Sequence, residues 1–193
     1  DVKHTFDIMR ITNPLALRAM AHPLRLDLIE LLGTAGPATA AECARQLGST
    51  QASCSYHLRQ LAKYGLVEQA DPRDDSRERP WRLVDVEQSW SSENPAAEQL
   101  EQVFVQREAD RILNWQASRD QQPEPWREAG FLGGATLPLT AAELASIREQ
   151  LAAVIEPYVA RLTDHSARPE HYRFVRILLA GTPADTDPEE TQT

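Results

Sequence analysis

Two short helical patterns separated by a very short turn constrain this chain more than any other feature. Thr39 stands as an N-cap with Glu42 three residues on as its capping-box partner, so a helix is expected from Ala40 to Leu47, ended by Gly48. Thr50 is a good N-cap for the next helix, Gln51 to Lys63, which is followed by Gly65-Leu66-Val67. Two helices joined this tightly make a helix-turn-helix pattern.

The flanks fit that pattern. Asn13-Pro14 reads as an N-cap with proline at the first helical position, and Leu15, Leu17 and Met20 supply an apolar face. His22-Pro23 interrupts and restarts the helix, and Leu24, Leu28, Leu31 and Leu32 carry it to Gly33, with a loop over 34–38. After Gly65 the period changes: 66–70 suits a strand, 71–80 is dense in turn and charged residues, and Trp81 to Val84 is a second strand. A hairpin directly behind a helix-turn-helix is the winged-helix arrangement.

Charge at first sight argues against a polyanion partner, since 20 basic against 29 acidic residues leave a net −9. The distribution removes the objection. Residues 1–86 hold 11 of each sign, and 87–193 hold 9 basic against 18 acidic, so the whole excess lies in the second half. From Ser49 to Tyr64 the chain carries Arg59 and Lys63 and no carboxylate. In the helix 51–63, Cys54, Leu58 and Leu61 recur at i, i+4, i+7 and face a core, which turns Ala52, Ser53, Tyr56 and Arg59 outward with Gln51 and Ser55 on the flanks. Small polar residues let a backbone approach a groove. Gln51 suits adenine, Arg59 suits guanine or phosphate, and the Thr50-capped N-terminus suits phosphate. A plain solvated helix would more often show Glu/Lys pairs at these positions.

Residues 14–85 resemble the ArsR/SmtB-type winged-helix transcriptional regulators. The resemblance lies in LRAMAHPLRLDLIELL (17–32), TAAECARQLG (39–48), STQASCSYHLRQLAKYGLVE (49–68) and RPWRLV (79–84). It implies a homodimer bound to double-stranded DNA, with two recognition helices in successive major grooves of a palindromic site. By family position Thr50, Gln51, Ala52, Ser53, Ser55 and Tyr56 would contact DNA, and Arg73, Arg77 and Arg79 of the wing would reach the backbone or minor groove. Asp71, Asp74, Asp75 and Glu78 bring that wing close to neutral.

The chain departs from the family's metal sensing. Cys43 has no second cysteine within two or three residues, and the segment from Ala96 to Arg119 has no His, so neither a thiolate cluster nor an imidazole site is expected. His165 and His171 read as a solvated loop. Cys43 and Cys54 fall at core positions; a thiol switch between them is the sharper reading and core packing the plainer one. With two cysteines, no apolar run near the ~18 residues of a membrane span and no signal peptide, a cytoplasmic setting is expected. GFLGG at 130–134 lacks the Lys-Ser/Thr of a phosphate loop and reads as a turn leading into a strand, and no motif assembles a catalytic set.

The second half is expected to hold a polar linker (89–95), a long helix from Ala96 to about Arg119, a strand over 131–139, a helix from Thr140 to about Leu162, a strand over 173–180 and a tail too polar to pack. Trp115, Trp126, Phe131, Tyr158 and Phe174 are candidates for lining a small-molecule effector pocket, or else for core or dimer interface. Arg25 is expected either to touch a phosphate or, as is commoner for such an arginine, to pair with a nearby carboxylate such as Asp27 or Glu30. The expected class is mostly α with a small β component. It comprises a winged-helix DNA-binding domain (1–88), a linker and long dimerisation helix (89–122), a small strand-helix-strand unit (123–181) and a disordered tail (182–193). The function expected is a repressor-type regulator without a cofactor, and the alternative is a winged-helix protein-interaction module without specific DNA binding.

Overall fold

The structure, a computed structural model, describes residues 11–71, 78–85, 95–162 and 164–184. It opens with α1, Pro14–Met20, whose first turn is held by Leu15 N–H donating to Asn13 Oδ1 at 2.9 Å. Helix α2, Pro23–Ala35, starts on proline behind an extended His22 and runs two residues past Gly33, where the sequence places its end. Gly33 stays helical, and a Cβ there would lie 3.4 Å from Leu83 Cδ1 in the wing. The chain turns instead at Gly36, whose φ of +79° is open to glycine at no steric cost.

Helices α3, Ala40–Leu47, and α4, Gln51–Lys63, have the bounds their caps dictate. Glu42 N–H donates to Thr39 Oγ1 and Thr39 N–H to Glu42 Oε2, closing the capping box. Gly48, left-handed at φ +61°, ends α3, and Thr50 Oγ1 accepts from Ser53 N–H to start α4. Strands β1, Val67–Gln69, and β2, Trp81–Leu83, pair antiparallel with Glu68 opposite Arg82. Ala38 adds a bridge on the other side of β2: its N–H donates to Trp81 O at 2.9 Å and its carbonyl oxygen accepts from Trp81 N–H at 2.7 Å. The loop before α3 is thereby fastened to the wing.

These elements close one core. Leu17 and Met20 of α1, Leu28 of α2, Cys43 of α3, Leu58 and Leu61 of α4, and Leu66 and Val67 behind them are buried together. Each such large side chain contributes about 1.5–3 kcal/mol relative to exposure. Helix α5, Pro95–Ser118, lays Ala96, Ala97 and Leu100 into the same core and packs on α1 and α2. Further along, Arg107 donates to Asp27 Oδ1 and Glu30 Oε2, both at 2.7 Å, and Arg111 to Glu30 Oε1 at 2.8 Å. Burial pushes the Glu30 carboxyl up, but the hydrogen bonds from Arg111 and Arg107 outweigh it and hold it below the ordinary value. Arg25 does not pair with Asp27 or Glu30 as expected; its two candidate acids face the arginines of α5, and its Nε has no hydrogen-bond partner.

The C-terminal third holds α6, Glu124–Ala129, which the sequence reading missed, and α7, Ala141–Val159, with a Thr140/Glu143 capping box and Pro157 inside its last turns. Neither of the strands expected at 131–139 and 173–180 forms. Both segments have strand-like composition, but a strand is completed by a neighbour's backbone hydrogen bonds, and among the described residues neither segment makes one. Nor is GFLGG a turn. Gly133 and Gly134 sit in open space, whereas Gly130 lies so close to Trp115 that a Cβ would run into its ring at Cζ2. The linker residues 89–94 and the tail beyond 184 lie outside the described residues.

Candidate nucleic-acid interface

The roll of α4 about its axis is set by its buried stripe. With Cys54, Leu58 and Leu61 in the core, Gln51, Ala52, Tyr56, Arg59 and Lys63 are exposed, and Ser53 and Ser55 are half-buried at the margins. Thr50 is exposed at the cap, which leaves the Gln51 and Ala52 N–H groups at a positive helix end. Arg59 Nε donates to Ser55 O at 3.2 Å, which lays its guanidinium along the helix. The seven candidate positions on α4 and its cap therefore share one surface, as their spacing requires.

The wing bears on that surface. Arg79 is exposed, and Arg73 and Arg77 lie outside the described residues, as do Asp74 and Asp75. Arg82 is held by Glu68 directly across the sheet at 2.6 Å. One contact had no signal in the sequence: Gln51 Nε2 donates to Glu78 Oε1 at 3.0 Å. Twenty-seven residues separate the pair, and only the return of the hairpin alongside α4 brings them together.

Behind the exposed face of α4 lies a second group of polar side chains. The rings of His22 and His57 stand 4.3 Å apart at 36°, and Tyr56 meets His57 edge-on at 5.1 Å. His22 Nδ1, His57 Nδ1 and Arg25 Nε are all buried without a hydrogen-bond partner. Burial lowers both imidazole pKa values, with the neighbouring Arg25 adding to it in each case and His22 acting also on His57. The two rings in contact tie α4 to the start of α2, and His57 lies beneath the exposed face of α4.

Cys43 and Cys54 are both fully buried. Burial pushes the Cys43 thiol up to about 11, with Cys54 and Glu42 adding to it, and burial also raises Cys54. Thiols held protonated in apolar surroundings react slowly, so core packing accounts for both. His165 and His171 are exposed, and among the described residues no group of three or more His, Cys, Asp or Glu is placed to hold a metal ion.

Four of the five aromatic residues considered for an effector pocket have separate partners, and the fifth stands exposed. Trp115 covers Gly130, Arg173 stacks on Trp126 at 5.2 Å, Arg161 stacks on Tyr158 at 4.9 Å, Tyr172 meets Phe174 edge-on, and Phe131 is 84% exposed. An open hollow of about 590 Å³ does lie along α5, but Glu98, Glu101, Gln102, Val105 and Gln106 line it. Among the described residues no helix is long and apolar enough to cross a membrane.

Residues 20–70 match a helix-turn-helix domain family. No curated protein matches the chain. Among solved structures, a double mutant of ZitR from Lactococcus lactis aligns at 16% identity over 71% of this chain and 75% of its own, with a TM-score of 0.32. The zinc-dependent MarR family transcriptional regulator AdcR in its Zn(II)-bound state aligns at 19% identity over 81% and 82%, with a TM-score of 0.26. Overlap this slight leaves the reading to the chain's own residues. The matched residues fold as a helix-turn-helix, α3 and α4, with a two-stranded wing behind it.

Proposed function

We propose that the protein is a sequence-specific DNA-binding transcriptional regulator of the ArsR type, acting as a homodimeric repressor on a palindromic operator and controlled by something other than a thiolate-bound metal. In this reading residues 1–88 bind DNA and residues 89–181 serve assembly. The observation that carries it is the outward face of α4, where Gln51, Ala52, Tyr56 and Arg59 are exposed and no carboxylate stands on the helix. Gln51 at the first turn would read a base edge, the small Ala52 and Ser53 would admit the helix to the groove, and Arg59 and Lys63 would meet phosphate. Arg79, with Arg73 and Arg77, would steady the wing on the backbone.

A mobility-shift assay on the promoter upstream of the protein's own coding region tests this. Gln51→Ala should relax base preference, whereas Arg79→Ala should weaken all sequences alike and flatten the salt slope by about 1. Retardation that is sequence-independent in the wild type and untouched by both changes would show the reading surface to be wrongly assigned. The Gln51–Glu78 hydrogen bond favours a second reading, since it engages the amide proposed to read DNA. In that case the winged helix is a protein-interaction module, and Glu78→Gln would leave DNA affinity as low as before.

A further inference from the structure

Gln51 and Glu78 meet at 3.0 Å, and the backbone on both sides of the contact is fixed. On the helix side, the Thr50 cap sets the first turn of α4, where Ser53 N–H donates to Thr50 Oγ1. On the wing side, Glu78 stands two residues before the buried Pro80, whose carbonyl accepts from Ala70 N–H at 2.8 Å. The next residue, Trp81, bridges to Ala38. The contact therefore joins a capped helix end to the fastened root of the wing.

This hydrogen bond has a direction. A carboxylate only accepts, so Glu78 faces the nitrogen of the Gln51 amide and leaves the amide oxygen turned away from it. The nitrogen carries two N–H groups, and Glu78 Oε1 takes one of them. What remains is one N–H beside one carbonyl oxygen, a donor next to an acceptor in a set order. Adenine shows the matching pair in the major groove, with N7 accepting and N6–H donating, whereas guanine shows two acceptors, N7 and O6. A glutamine free to turn its amide over can offer both N–H groups to guanine. One held by a carboxylate cannot.

We infer that Glu78 is a positioning residue for base recognition, holding the Gln51 amide in one orientation and so committing it to adenine over guanine. The inference rests on the reading of α4 as a DNA-reading helix and adds to it a wing residue that acts through Gln51 without touching a base. It also separates two uses of one hydrogen bond: engaging the amide to silence it, and engaging half of the amide to aim the other half.

Selection from a pool of DNA duplexes with a randomised centre tests it, using the full chain as wild type, Glu78→Ala, Gln51→Ala and the double variant. The wild type should select adenine at a position whose preference Gln51→Ala abolishes. Glu78→Ala should lower the adenine-to-guanine ratio at that position by about 10-fold and leave the other positions as they are. In the Gln51→Ala background, Glu78→Ala should change nothing further, because its effect passes through that amide. Both side chains are exposed, so circular dichroism should be the same for all four proteins. The inference is overturned, with DNA reading left intact, if the ratio in Glu78→Ala is unaltered or rises because the amide has been freed. The same holds if Gln51 governs no adenine position, or if Glu78→Ala acts equally with and without Gln51. A wild type that selects no sequence would overturn the inference and the proposed function together, which tells the two failures apart.

Discussion

The two ends of this chain handle apolar side chains in opposite ways. In residues 11–85 the leucines of four helices close on one another, and the large apolar side chains left exposed are Leu15, Tyr56 and Val84. Beyond Phe131 no described side chain is buried, although the apolar content is high. The head has enough elements of its own to cover each helix, whereas among the described residues α7 and the segment after it have no third layer. Apolar content alone does not make a core; partners at the right spacing do.

That contrast can be broken most directly by truncation. Leu58→Ala should cost about 3 kcal/mol in urea unfolding, since a fully buried leucine leaves a cavity, while Leu151→Ala on α7 should change stability by less than about 0.5 kcal/mol. Comparable losses at the two sites would mean that the tail is packed as tightly as the head. Next in size is the tether between them. Glu108 of α5 is buried and pairs with both Arg107 and Arg176, the latter in the segment after α7. Glu108→Ala leaves Arg107 and Arg176 short of a partner and should cost about 2 kcal/mol. Trypsin should then cleave after Arg173 and Arg176 faster than in the wild type, and an unchanged digestion rate would show that Glu108 does not hold the segment. The smallest effect expected is that of pH. His22 and His57 have folded pKa values below the ordinary value, so the unfolded chain binds protons first as pH falls. Their contribution is complete above about pH 7 and is lost as pH drops below about 6.5. Urea midpoints at pH 7.5 and 5.5 should show that loss, and His22→Phe with His57→Phe should reduce it.

The head was legible because its signals are local. Thr39, Gly48 and Thr50 cap and stop helices through bonds to residues within three or four positions, and α3 and α4 begin and end where those residues put them. The i, i+4, i+7 spacing of Cys54, Leu58 and Leu61 fixed the inward side of α4, and with it the outward one. Gly33 misled because a glycine can end a helix or sit within one, and here the chain turns three residues later at Gly36, with φ +79°. Glu108 was missed although Leu100, Phe104 and Glu108 fall on one helical stripe, which placed an acid among apolar residues.

The sequence by itself determined the four head helices, the hairpin, the outward face of α4 and the confinement of acidity to the second half, because caps, periodicity and charge are properties of nearby residues. Only the tertiary structure decided that Glu78 meets Gln51, that Arg107 rather than Arg25 takes Asp27 and Glu30, and that the segments at 131–139 and 173–180 remain without a ladder. Each of those depends on which distant groups arrive at the same place, and strand pairing above all needs a neighbour that composition cannot supply.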